Sequence, residues 1–203
     1  MGIPVLILGE SGSGKSASLR NFEPDDLVIY NVAGKPLPFR KGVKMNRADN
    51  VSYNTILSNM NKKKFKRYVI DDSQYLLCFE LFDRSAETGY TKFTEMAMHF
   101  YNLIQFVIKK MPNDCIVYFL HHTEEIDGRL KAKTIGKMLN EKLTVEGLFS
   151  IVLMAQNVDG KHIFITQSDG RSTVKTPMEM FEEAEIDNDL KYVDTIIREY
   201  YGI

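Results

Sequence analysis

A chain of 203 residues, 44% of them hydrophobic and 26% charged, has the size and apolar content of one packed domain and is too apolar to remain disordered. The 26 Lys and Arg against 27 Asp and Glu leave a formal net charge of −1, so any affinity for nucleic acid must come from a local basic patch. No apolar run approaches the roughly 20 residues that span a bilayer. No charged leader precedes the first apolar run, and Cys78 and Cys115 sit in apolar surroundings without metal-ligand spacing. Together these features predict an unprocessed cytoplasmic protein with free thiols and no membrane partner.

Ile3 to Leu8 is a short continuous apolar run, the pattern of a parallel strand buried on both faces, and it is predicted to be the central strand. Further strand runs follow at Leu27 to Tyr30, Tyr68 to Ile70, Cys115 to Leu120 and Phe149 to Ala155. Between them, Ser73 to Arg84 and Lys92 to Met111 read as helices, the second with apolar residues at helical spacing until Pro112 stops it. Asp159-Gly160 separates Ile151 to Ala155 from His162 to Thr166, a hairpin signal, and Asp187 to Tyr200 reads as a closing helix. The alternation predicts a doubly wound α/β fold with a mostly parallel central sheet, flanking helices and a C-terminal β-hairpin. No repeat or linker divides the chain, so residues 1–203 are expected to form a single domain.

The first strand runs directly into Gly9-Glu10-Ser11-Gly12-Ser13-Gly14-Lys15-Ser16-Ala17, placed before a predicted helix. Glycines at this spacing let successive backbone N–H groups curl around phosphate oxygens where side chains would clash, and the helix start adds its positive end. Lys15 is expected to reach the β and γ phosphates of ATP, and Ser16 to place its hydroxyl on Mg²⁺. A magnesium site of this kind needs a carboxylate at the carboxyl end of a neighbouring strand, and Lys66-Arg67-Tyr68-Val69-Ile70-Asp71-Asp72 supplies two. Asp71 is the expected magnesium-side residue, and Asp72 the candidate for polarising an attacking water. The strand Ile116 to Leu120 ends in His121-His122-Thr123-Glu124. His121 is expected to continue the strand and His122 to lie in the following loop, one of the two facing a γ phosphate; adjacent histidines are poorly placed to chelate one ion.

With these segments the chain resembles the RecA-like ATPases of bacterial viruses, the phage nucleotide-binding proteins that include the Sak-type single-strand annealing proteins. The likeness rests on the glycine-rich loop, Tyr-Val-Ile-Asp-Asp, the strand ending in His-His-Thr-Glu-Glu, Ile135-Gly136-Lys137-Met138-Leu139, Gly147 to Leu153, Lys175-Thr176-Pro177-Met178 and Tyr200-Tyr201-Gly202. The P-loop branch to which such proteins belong carries an extra strand beside the P-loop strand, whose polar tip senses the γ phosphate. The resemblance implies a RecA-like P-loop ATPase that uses ATP and Mg²⁺ and acts as a homo-oligomer on single-stranded DNA, in phage recombination or annealing, in the host cytoplasm with replication or recombination partners. RecA-type proteins carry a catalytic glutamate after the second strand, whereas Val28-Ile29-Tyr30 runs here into Asn31, which cannot act as a base.

Arg129, Lys131, Lys133, Lys137 and Lys142 face only Glu141 in their own stretch and are the nucleic-acid candidates. The denser run Lys62 to Lys64 with Lys66 and Arg67 ends a predicted helix, where cations have a structural explanation. Arg171 and Lys175, beyond the hairpin, are candidates for a cation reaching a neighbour's γ phosphate. Tyr90 and Phe93, beside Gly89 before the long helix, could stack bases, but loop aromatics that fold onto the core are the favoured account. Competing readings are a helicase-loader-like or regulatory ATPase that contacts proteins, and a small-molecule or nucleotide kinase, for which an arginine-rich lid is lacking. A GTP switch would need an Asn-Lys-x-Asp pattern that the chain does not contain.

Overall fold

The computed structural model describes residues 1–203, except the side chain of Asn140. Its strands are β1 (Ile3–Gly9), β2 (Val28–Asn31), β3 (Arg47–Asp49), β4 (Arg67–Asp71), β5 (Ile116–Ile126), β6 (Arg129–Ala132), β7 (Ile151–Val158), β8 (Lys161–Ile165) and β9 (Glu185–Asp187). The α-helices are α1 (Tyr53–Met60), α2 (Tyr75–Asp83), α3 (Thr91–Lys110) and α4 (Leu190–Tyr201). The strands form one mixed sheet in the order β3-β2-β4-β5-β1-β7-β8-β9, with β6 paired to β5. From β3 to β7 the neighbours are parallel, while β7-β8, β8-β9 and β5-β6 are antiparallel. β1 is thus interior and β5 lies between it and β4.

Strand alternation sorts the core into two layers, because successive side chains point to opposite faces. Leu6, Leu8, Tyr30, Tyr68, Ile70, Val117, Phe119 and Val152 pack with the apolar faces of α1, α2 and α3. Val5, Ile7, Ile29, Val69, Tyr118, Leu120 and Leu153 pack on the other side with Leu19, Phe22 and the α4 residues Leu190, Val193 and Ile197. Burying both faces is what makes the strands read as unbroken apolar runs.

Local signals set the element ends. The Asp189 side chain accepts hydrogen bonds from the Lys191 and Tyr192 backbone N–H groups at the start of α4, and Gly202, at φ 65°, closes it. Asp159 and Gly160 both take positive φ, 51° and 83°, the mirror-image turn that matches the twist of a two-residue hairpin. The closing helix begins at Leu190 rather than Asp187, because Glu185–Asp187 is drawn into the sheet against β8. After the glycine-rich loop the chain forms only a six-residue 3-10 helix, Ser16–Asn21, and not a full α-helix; Phe22 then turns to extended backbone, with Pro24 two residues further on. β5 continues to Ile126, so both histidines lie within the strand and His122 is not displaced into a loop. Among the described residues no helix is long and apolar enough to cross a membrane, and both cysteines are free.

Candidate functional site

The register brings the polar strand ends to one edge of the sheet. Gly9 of β1 pairs with His122 of β5, and Asn31 of β2 pairs with Asp71 of β4. A side chain at Gly9 would strike Ser13 Oγ and put its Cβ 2.8 Å from the Ala155 carbonyl oxygen, so glycine is required for the chain to leave β1 here. Gly12 and Gly14 adopt φ of 80° and 99°, which L side chains rarely take. The loop curls over Lys15, whose Nζ donates to the Gly9 carbonyl at 2.7 Å and the Glu10 carbonyl at 2.8 Å. Burial pushes this ammonium down from 10.5 to about 8, although Asp72 and Asp71 pull the other way. Ser13 Oγ is buried with no hydrogen-bond partner among the described residues, a donor that the folded chain itself does not use.

Ser16 Oγ donates to Asp71 Oδ1 at 2.7 Å, joining the loop to the end of β4. Asp71 is 4% exposed, and burial lifts its carboxyl from 3.8 to about 6 against the pull of the Ser16 hydrogen bond and Lys15. Asp72 behaves in the opposite way. It takes φ 59° as the chain turns out of β4, and its Oδ2 meets Lys35 Nζ at 2.7 Å while its Oδ1 accepts from His122 Nε2 at 3.2 Å. Burial alone would raise the Asp72 carboxyl, but the hydrogen bonds from His122 and Lys35 outweigh it and hold the group at about 2. In the ligand-free chain both oxygens are thus engaged, and the role expected for Asp72 from sequence requires one partner to leave.

The two histidines diverge by strand parity. His121 shares the face of Val117 and Phe119, is fully buried against Phe100 and donates from Nε2 to the Lys133 carbonyl at 2.8 Å, with its Nδ1 2.9 Å from Ser73 Oγ. Burial pushes it down to about 4, so it is a neutral structural group. His122 shares the face of Tyr118 and Leu120 and opens onto the pocket. Among the described residues no group of three or more His, Cys, Asp or Glu side chains is arranged to hold a metal by itself.

The pocket above this edge has a volume of about 380 Å³ and is lined by the loop from Ser11 to Ala17, by Asp71, Asp72 and His122, and by Lys35, Pro36, Pro38 and His162. The last four are absent from the expectations drawn from sequence. Lys35 arrives from the turn after β2, where Gly34, at φ 66°, lies so close to the Asn50 side chain that a Cβ would collide with it. Asn31 fixes this turn: its Nδ2 donates to the Lys35 carbonyl and to Asp49 Oδ1, both at 2.7 Å. His162 comes from β8, opposite Asn157, and its Nδ1 donates to the Ser13 carbonyl at 3.1 Å, bracing the loop beside Gly14.

The remaining candidates lie outside this pocket. Arg129 and Lys131 are on β6, the return arm of a hairpin that extends β5 beyond His122, and Lys133, Lys137 and Lys142 are exposed along the chain that follows. The hairpin sets Lys131 opposite Glu124, and Glu125 is its neighbour, so Glu141 is not the sole acidic group near this basic run. Arg171 sits beside Leu130 and its side chain is exposed, and Lys175 pairs through its backbone with Val152, well back from the carboxyl edge. Neither lines the pocket of its own chain. Arg67 is structural: its Nε donates to Asp194 Oδ2 at 2.7 Å. Tyr90 is 88% exposed, whereas Phe93 belongs to the first turn of α3 and packs near Gly136. A separate groove of about 830 Å³ is lined by β8, β9, α4 and the segment before β9, where Glu179, Glu182, Glu183, Glu185, Asp187, Asp189 and Glu199 surround Lys161.

Neither protein-family models nor curated proteins give a match to this chain.

Proposed function

We propose that the chain is a RecA-like P-loop ATPase that takes ATP with Mg²⁺ at the carboxyl edge of its sheet and acts, as a homo-oligomer, on single-stranded DNA in phage recombination or annealing. The observation that carries the reading is the hydrogen bond between Ser16 Oγ and Asp71 Oδ1 at 2.7 Å, beside a lysine folded back onto its own loop. A hydroxyl and a carboxylate so paired fit the protein side of a magnesium site whose other ligands are phosphate oxygens and water. The orphaned Ser13 hydroxyl and the glycines at positions 9, 12 and 14 suit a cradle for phosphate. The placement of β5 between β1 and β4 is in keeping with the extra-strand branch of P-loop proteins.

In this reading Lys15 would exchange the Gly9 and Glu10 carbonyls for phosphate oxygens, and Ser16 and Asp71 are the residues that would hold the metal. Magnesium, when bound, neutralises charge developing on the transferring phosphoryl group. In the ligand-free chain Asn31 is committed to the Lys35 turn and Asp72 to Lys35 and His122, so neither offers a free base until a partner is released, and slow turnover is the expectation. The DNA-binding arm is the β5-β6 hairpin, which is covalently continuous with His122 and returns to it where the Lys133 N–H donates to the His122 carbonyl at 2.9 Å. Phosphate release from ATP should therefore rise on addition of single-stranded DNA and vanish in Lys15→Ala. ATP binding without any response to DNA would instead favour a regulatory or loader-like ATPase that contacts proteins. The acidic groove beside α4 speaks for that second reading, because it repels nucleic acid and suits a basic protein partner.

A further inference from the structure

We propose that Lys35 is a second phosphate-binding cation of this site, held on Asp72 while the site is empty of triphosphate and transferred to the terminal phosphate when ATP binds. The inference rests on the nucleotide reading above and adds the group that tells a triphosphate from a diphosphate.

Four observations fix Lys35 at the pocket. Its ammonium meets Asp72 Oδ2 at 2.7 Å and lies 5.3 Å from the centre of the Tyr75 ring, on the side of the pocket formed by the end of β4. Asn31 grips its carbonyl, so the backbone is anchored while the side chain, 58% exposed, keeps rotamer freedom. Gly34 sets the direction of approach, since no other residue fits against Asn50 at that φ. Asp72 has two separate partners, one per oxygen, and His122 stays on Oδ1 when Lys35 leaves Oδ2. The carboxylate is therefore not left unpaired, which would be the main obstacle to moving a cation from it.

The electrostatics favour the transfer. Lys15 sits deep under the loop and can neutralise only part of a triphosphate, whose terminal group brings extra negative charge towards the end of β4, where Asp71 and Asp72 already stand. A mobile ammonium at the rim answers that charge in cis. Asp72 is then a positioning residue that stores the cation, which accounts for an acid placed in a left-handed turn with one oxygen given wholly to Lys35.

The test is the affinity of the full-length protein, with Mg²⁺, for a non-hydrolysable ATP analogue and for ADP, in the wild type, Lys35→Ala and Lys35→Arg. Loss of a charge-assisted phosphate contact predicts that Lys35→Ala weakens the triphosphate analogue about 10- to 100-fold and leaves ADP within about twofold, with Lys35→Arg recovering most of the difference. Equal weakening of both nucleotides, or no change in either, overturns the role assigned to Lys35 while leaving the nucleotide site intact. Failure of the wild type to bind either nucleotide removes the nucleotide reading and this inference with it. Melting curves of the ligand-free variants separate these outcomes from misfolding.

Discussion

With 4% of its surface exposed, the Asp71 carboxyl titrates at about 6 instead of 3.8, because burial penalises its anion more than Ser16 and Lys15 reward it. The folded chain binds this proton more tightly than the unfolded one. The group's contribution to stability is thus fully present below 3.8 and is lost as pH rises through about 6. At neutral pH the lost contribution is at most about 3 kcal/mol, a figure from the net shift in which the attractions of Ser16 and Lys15 are already included. Asp71→Asn retains an acceptor for Ser16, so it should raise the melting temperature of the ligand-free protein at pH 7.5, lose that advantage near pH 4, and abolish stabilisation by ATP and magnesium. Melts at the two pH values check it, and a lower melting point at pH 7.5 would show that the anion is better compensated than its surroundings indicate. The residue itself is legible in the sequence, as an acid ending an apolar strand below a glycine-rich loop. The choice between His121 and His122 is legible only once strand parity is counted: positions 118, 120 and 122 share the layer of Leu19 and Phe22, and 121 does not.

At the scale of elements, α4 is tied to the sheet through one carboxylate. Asp194 is 3% exposed at its side chain and accepts from Arg67 Nε at 2.7 Å, Arg198 Nε at 2.8 Å and the Tyr118 hydroxyl at 2.8 Å. Asp194→Ala removes the shared acceptor, leaving Arg67 Nε and the buried Tyr118 hydroxyl without it while Arg198 keeps the Asp114 and Lys66 carbonyls, so a loss of about 3 kcal/mol, the low end for a broken buried pair, is expected in denaturant unfolding. Nucleotide affinity should be untouched in the fraction that folds, since the cluster lies far along the strands from the loop. The long helix α3 and the hairpin at Asp159-Gly160 follow from local pattern, periodicity in one case and turn chemistry in the other. Lys35 and His162 do not, because no spacing rule relates them to the loop. The first is delivered by a glycine turn and an Asn31 side chain, the second by the register of β7 with β8. The short 3-10 helix after Ser16 is also invisible in the apolar pattern, since Leu19 and Phe22 suit either helix type.

For the molecule as a whole, a net charge of −1 conceals a separation of charge. The β5-β6 arm and the segment after it carry Arg129, Lys131, Lys133, Lys137 and Lys142, while the groove beside α4 holds seven carboxylates around one lysine. Reversing Lys131, Lys133 and Lys137 to Glu together should weaken single-stranded DNA binding at least about tenfold and flatten its dependence on salt by about 0.7 in slope per lost phosphate contact. ATP affinity should stay as it is, because none of these side chains lines the pocket. Unchanged DNA affinity would place any DNA contact elsewhere on the molecule.

The two rims of the sheet, β3 and β9, are three residues long and charged, Arg47-Ala48-Asp49 and Glu185-Ile186-Asp187, and the outer side of β6 is covered by the segment around Arg171 to Thr173. Rims so short and charged offer little backbone for a foreign strand to pair with. If copies of this chain assemble, such rims would favour joining through side chains, as tiles rather than as threads of one fabric, and an array built that way could be dismantled by salt and reassembled with every protomer still folded.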